Sequence, residues 1–190
     1  MKNGNSRAVE NEILASKICR CFDCRQVLYE ESMFDGQKVS KSRIITSVDY
    51  SMVSMEAFEI YAANHDIHVM DFVLKLDAYS YYMMNLLDYL IGNTDRHWGN
   101  WGFLVDNRTN QPVRLFDLMD LNQTFLAYDT PDGAICMTTG NRKMSQREAA
   151  VEAVKKIGLN QRAEIKDEWF EGREKEREMF WCRFGILKEQ

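Results

Sequence analysis

Tyr79, Met83, Leu86, Leu87 and Leu90 fall at i, i+4, i+7, i+8 and i+11. That spacing lays a wide apolar stripe along one helix face, and Gly92 supplies the stop. Any fold of this chain must bury that stripe and then place the polar segment beyond Gly92. Residues 92–100 are polar and punctuated by glycine, so they read as a loop. Trp101, Phe103 and Val105 then alternate as in a strand with one buried face, turn formers crowd 106–112, and 113–119 is extended again. Residues 101–119 therefore read as a hairpin that carries the chain back to Asp117 and Asp120.

The rest of the chain supports a mixed architecture. Residues 9–22 have a helical pattern through Leu14, Ile18 and Cys21. Two extended runs, 26–32 and 38–47, flank Phe34-Asp35-Gly36, and Asp-Gly between extended runs predicts a hairpin. A helix is expected after Ser54, with Glu56 and Glu59 in its opening turns. Ser145-Gln146-Arg147-Glu148 spells a capping box for a helix running to about Ile157, before Gly158. Residues 163–187 carry Trp169, Phe170, Phe180, Trp181 and Phe184, and 171–178 alternates charge sign like a solvated helical face. The expected fold class is α+β, mostly helical, with two hairpins and about five helices.

Composition narrows the function classes. Of 190 residues, 45% are apolar and 28% charged, which is globular rather than disordered or collagenous. Only 2 prolines and 10 glycines favour helices over a turn-rich β fold. The formal charge is −5 and no basic run stands out, so nucleic acid and anionic membranes are poor partners on electrostatic grounds. The first residues lack an apolar signal-peptide core, and no stretch is long and apolar enough to span a bilayer, so a cytoplasmic location is expected. Cys19, Cys21 and Cys24 crowd together, but a zinc site needs a fourth ligand, and His65, His68 and His97 offer no matching pair. Reduced thiols at a helix end are the plainer expectation.

The loop after the stripe holds the chemistry. A helix delivers Asp95, His97 and Asn100 into one short segment, and the hairpin returns to a second aspartate. Phosphoryl transfer uses such a set: one aspartate takes the proton of the attacking hydroxyl, while an asparagine and another aspartate hold a divalent cation through hard oxygen atoms. The five-residue step from Asp95 to Asn100 equals the D-x-x-x-x-N spacing of protein-kinase catalytic loops. The plain alternative is that Asp95 closes a turn and Asn100 takes a left-handed backbone position, uses to which both residues are often put. Trp98 and Trp101 flank the polar trio and would partly exclude water, which weighs against it.

The run Asp95-Arg96-His97-Trp98-Gly99-Asn100-Trp101-Gly102-Phe103-Leu104 resembles the D-R-H-x-x-N-x-G-F-L catalytic loop of HipA-like serine/threonine kinases, including the small CtkA-type members. Phosphoinositide kinases share a similar D-R-H-x-x-N. The run from Val113 to Gln123 resembles the family's metal-binding stretch, in which a hydrophobic pair precedes D-x-N-Q. That register selects Asp120; because Phe116-Asp117 replaces the usual Ala-Pro, Asp117 remains the alternative. Glu10-Asn11-Glu12 and the helix after it are similar to the family's N-E helix. The match runs over about residues 9–128.

The resemblance implies ATP and Mg²⁺ as cofactors and a protein hydroxyl as acceptor. It implies Asp95 as catalytic base, Asn100 and Asp120 as metal ligands, His97 orienting the loop or touching phosphate, and Glu12 as partner of a nucleotide-binding lysine. It also implies residues 1–50 as a truncated small lobe and 51–190 as the catalytic lobe of the HipA C-terminal type. Lys2 and Gly4 stand too close to the start to build a phosphate loop and lysine strand before Val9. The expectation is thus a kinase lobe incomplete or weak alone, with a separately encoded small lobe or an antitoxin-like protein as partner, as in toxin–antitoxin pairs. The rival expectation is a pseudokinase that serves as an interaction module without catalysis.

Overall fold

The structure, a computed structural model, describes residues 6–140 and 143–190; the expectations placed on Lys2 and Gly4 lie outside the described residues. The fold class is α+β, with five α-helices and two antiparallel sheets among the described residues. Helix α1 (Ser6–Cys19) packs against a two-stranded sheet of β1 (Tyr29–Phe34) and β2 (Gln37–Ser42). Asp35 and Gly36 make the turn between them with φ of 48° and 71°, the paired positive angles of a type I′ hairpin turn. The strand expected to reach 47 stops at Ser42, where β1 runs out of partner residues.

Strand β3 (Tyr50–Ser54) has no expectation behind it in the sequence. It pairs with β4 (Gly102–Asp106), which pairs in turn with β5 (Gln111–Leu115). The expected hairpin is therefore present, but the expectation of one buried face on β4 is wrong: Gly102, Phe103, Leu104 and Val105 are all buried. Phe103 packs edge-on to Phe58 and Phe72 on one face, and β3 and β5 cover both edges of the strand.

Helix α2 (Met55–Ala63) starts where Ser54 accepts a hydrogen bond from the Ala57 N–H at 3.2 Å. Helix α3 (Val69–Ile91) carries the apolar stripe, and Leu86, Leu87, Leu90 and Ile91 are fully buried. It breaks at Asp77, whose φ and ψ of −156° and 64° are not helical. The Asp77 carboxylate accepts from the Ser80 N–H at 3.2 Å, so the helix is capped afresh just ahead of Tyr79, where the stripe begins. Gly92 closes α3 in the left-handed conformation, and a Cβ there would run into the Tyr128 ring.

Helix α4 (Gln146–Ile157) has both halves of the capping box, Ser145 to the Glu148 N–H and Glu148 to the Ser145 N–H. It lays Ala150 and Ala153 into the core beside α3. A 3-10 turn at Asp167–Phe170 leads to α5 (Glu174–Lys188), which buries Phe180 and Phe184. The stretch 171–178 is not uniformly solvated: Arg173 is buried and donates to Asn11 Oδ1 at 2.8 Å, bolting the tail to α1. Cys19 and Cys21 are buried and Cys24 half-buried, with the Cys21 and Cys24 thiols on backbone carbonyls. Burial pushes the Cys24 thiol up to about 12, with the Asp23 and Asp117 charges adding to it.

Candidate active site

The segment between α3 and β4 is fastened from below and from the side. The Met55 N–H donates to the Trp101 carbonyl at 2.8 Å and the Glu56 N–H to the Trp98 carbonyl at 2.9 Å, so the start of α2 grips the loop. Trp98 meets Trp101 edge to face, with 6.3 Å between ring centroids. Trp98 Nε1 donates to the Met137 carbonyl at 2.9 Å and ties in the 125–140 segment.

Asp95 is exposed at the surface of this loop. Its backbone carbonyl accepts from Asn100 Nδ2 and from the His97 N–H. Asn100 is buried, and because its amide nitrogen is committed to Asp95, its Oδ1 is fixed in direction; that oxygen has no hydrogen-bond partner. A buried amide oxygen left without a donor costs free energy unless something else supplies positive charge. It is a hard oxygen, the type Mg²⁺ takes. Among the described residues no three His, Cys, Asp or Glu side chains are grouped to hold a metal ion.

Asn100 is not left-handed, so the plain turn alternative does not describe it; among the described residues the non-glycine positive φ values include Asp120, at 57°. Asp120 follows β5, and its N–H donates to the Tyr29 hydroxyl at 3.1 Å. Asp117 is engaged by Arg114 in an ion pair three residues away along the chain. His97 is exposed, and its Nδ1 accepts from the Gly99 N–H at 3.0 Å, which sets the ring against the loop's own backbone. Glu12 is buried in α1 and accepts a hydrogen bond from the Ser40 hydroxyl of β2. The fold thus gathers Asp95, His97 and Asn100 in one loop and joins Asp120 to it through shared side-chain contacts, while Glu12 sits with α1 and the small sheet.

Those shared contacts centre on Arg96, whose part the sequence does not announce. Its guanidinium grips the Asp88 carboxylate of α3 with Nε at 2.8 Å and Nη2 at 2.9 Å, and Nη1 donates to the carbonyls of Asn100 at 3.0 Å and Met119 at 2.6 Å. Burial alone pulls the Arg96 guanidinium down, but the charge and hydrogen bonds of Asp88, helped by Asp120, turn the net direction upward. The available signal was Asp88 itself, a carboxylate inside the most apolar stretch of the chain. Tyr29 was missed as well; burial raises its phenol to about 12, against the lowering effect of the Asp120 N–H, and the Glu12 and Asp120 charges add to the rise.

No protein-family model matches the chain, and no curated protein matches it. Among solved structures it is similar to the proinflammatory kinase CtkA of Helicobacter pylori, at 13% identity and a TM-score of 0.68, over 99% of this chain and 83% of that one. At that identity the likeness speaks for the backbone alone, and the conclusion it carries is that this chain has a kinase-like fold.

Proposed function

We propose that this chain is the catalytic lobe of a HipA-like protein serine/threonine kinase that moves a phosphoryl group from ATP, with Mg²⁺, to a protein hydroxyl. The observation that carries the reading is the Asn100 side chain: its nitrogen is bound back to Asp95 and its buried oxygen has no donor. When bound, Mg²⁺–ATP supplies the transferable group and neutralises its charge. Asp95 accepts the proton of the acceptor hydroxyl from its exposed place on the loop. Asn100 and Asp120 hold the metal; Asp117, already paired with Arg114, is the weaker candidate. His97 orients the loop or touches phosphate, and Glu12 pairs with a nucleotide-binding lysine. In this reading residues 1–50 belong to a small lobe and 51–190 to the catalytic lobe, and the partner is a separately encoded N-lobe or antitoxin-like protein.

A second reading, an interaction module without catalysis, is favoured by the apolar side chains open to solvent around the small sheet, Met33 at 62%, Ile44 at 87% and Val48 at 91% exposed. One experiment separates the two. Thermal shift with ATP and Mg²⁺ on the wild type and on Asp120→Asn is expected to show stabilisation that the variant loses. No shift in either protein would favour the module.

A further inference from the structure

The peptide unit between Met119 and Asp120 is held at both ends by side chains from elsewhere in the chain. Its carbonyl accepts from Arg96 Nη1 at 2.6 Å, and its N–H donates to the Tyr29 hydroxyl at 3.1 Å. That plane directly precedes the Asp120 side chain and sets the N–Cα axis from which it departs. Asp120 stands at φ 57°, where L-residues are uncommon and persist only under support from their surroundings. The nitrogen that holds the Met119 carbonyl also holds that of Asn100, so one atom ties both backbone segments together.

We propose that Arg96 and Tyr29 are positioning residues for the metal: by clamping the Met119–Asp120 peptide plane from both sides, they set where the Asp120 carboxylate stands relative to the Asn100 oxygen. The inference rests on the assignment of Asn100 and Asp120 as the Mg²⁺ ligands.

Both clamps are themselves anchored. The Arg96 fork is locked by its two bonds to Asp88, which Asn93 Nδ2 also holds at 2.9 Å, and Arg96 is 3% exposed. A planar fork with both arms engaged has little freedom left, unlike a lysine ammonium on a flexible stem. Tyr29 belongs to β1, and its backbone N–H donates to the Ser16 hydroxyl of α1 at 3.2 Å. The small sheet therefore reaches the metal aspartate through one phenol oxygen. Groups that orient metal ligands from behind are typically worth ~10–100-fold in metal affinity, and a single neutral hydrogen bond about two- to tenfold.

The test is Mn²⁺ binding, followed by electron paramagnetic resonance, with a saturating non-hydrolysable ATP analogue and with melting temperature measured in parallel. Tyr29→Phe keeps the ring and removes the hydroxyl; Arg96→Lys keeps a positive charge and removes the fork. The expected result is a Kd for Mn²⁺ raised roughly two- to tenfold in Tyr29→Phe and ~10–100-fold in Arg96→Lys, with nucleotide affinity without metal unchanged. Wild-type Mn²⁺ affinity in Tyr29→Phe, with only a lowered melting temperature, would overturn the proposal, and Tyr29→Phe suffices should Arg96→Lys not fold. An Asp120→Asn variant separates the two levels. If it binds Mn²⁺ as the wild type does, the ligand assignment itself fails and the clamp falls with it; if it loses Mn²⁺ while Tyr29→Phe does not, only the clamp fails.

Discussion

Arg96 and Arg183 are both buried arginines, 3% and 0% exposed, and each uses its fork to hold backbone carbonyls. They keep their charge in the interior by different means. Arg96 is paired with the Asp88 carboxylate at 2.8 Å, and the net direction of its pKa is upward. Arg183 donates to the carbonyls of Tyr89 at 2.6 Å and Thr130 at 2.7 Å, and lies over the Tyr128 and Tyr89 rings at 4.3 and 5.0 Å. Its Nε has no partner, and burial pulls its pKa down against the favourable influence of Tyr128 and Tyr89. A carboxylate partner fixes a guanidinium in direction as well as charge, whereas ring faces support the charge and leave direction to the carbonyls. Direction matters where two loop segments must meet, and support suffices where 128–131 has only to lie against α3.

Removing one partner from each arrangement should expose that difference. Asp88→Ala strands a buried Arg96 charge and is expected to cost about 3–5 kcal/mol in urea unfolding. Arg183→Met removes the charge, fills most of its volume and takes one donor from each of the Tyr89 and Thr130 carbonyls, which keep the Gly92 and Gly133 N–H groups; about 1–3 kcal/mol is expected. Equal costs would erase the distinction drawn between the two arginines.

Alkaline pH tests the tyrosines beside them. Burial raises Tyr29, near Arg96, and Tyr89, beneath Arg183, to about 12 each, and Tyr128 is pushed higher still. The unfolded chain releases these protons near 10 and the folded chain does not, so the folded state binds more protons between about 10 and 12. The stability they contribute is complete below pH 10 and declines as pH rises toward 12. Absorbance at 295 nm should therefore show a delayed set of tyrosines ionising together with unfolding; a single step near 10 in the folded protein would contradict their burial. Ser145→Ala, which breaks the α4 capping box well away from both arginines, sets the small end of the scale at about 1 kcal/mol.

Some of this was legible residue by residue. Asp35-Gly36, the Ser145 box and the Gly92 stop are local devices, because turn and cap chemistry is settled within four or five residues, and each stands where the sequence put it. Strand β3 was not legible: Tyr50–Ser54 is short and only half-buried, and pairing with β4 is what makes it a strand. The one-faced expectation for β4 failed for the same reason, since alternation in sequence does not reveal a layer supplied by distant helices.

The sequence by itself determined the polar loop and its spacing, the helix that delivers it and the hairpin after it, because each depends on neighbours along the chain. Only the tertiary structure decided that Asp88, eight residues before Arg96 and buried with it, would lock the fork whose remaining arm reaches Asn100 and Met119. It likewise decided that a tyrosine 91 positions before Asp120 would receive its N–H. Those contacts join α3, the loop, the end of β5 and the small sheet, and a contact across that many elements is fixed by how they pack, which no local pattern encodes.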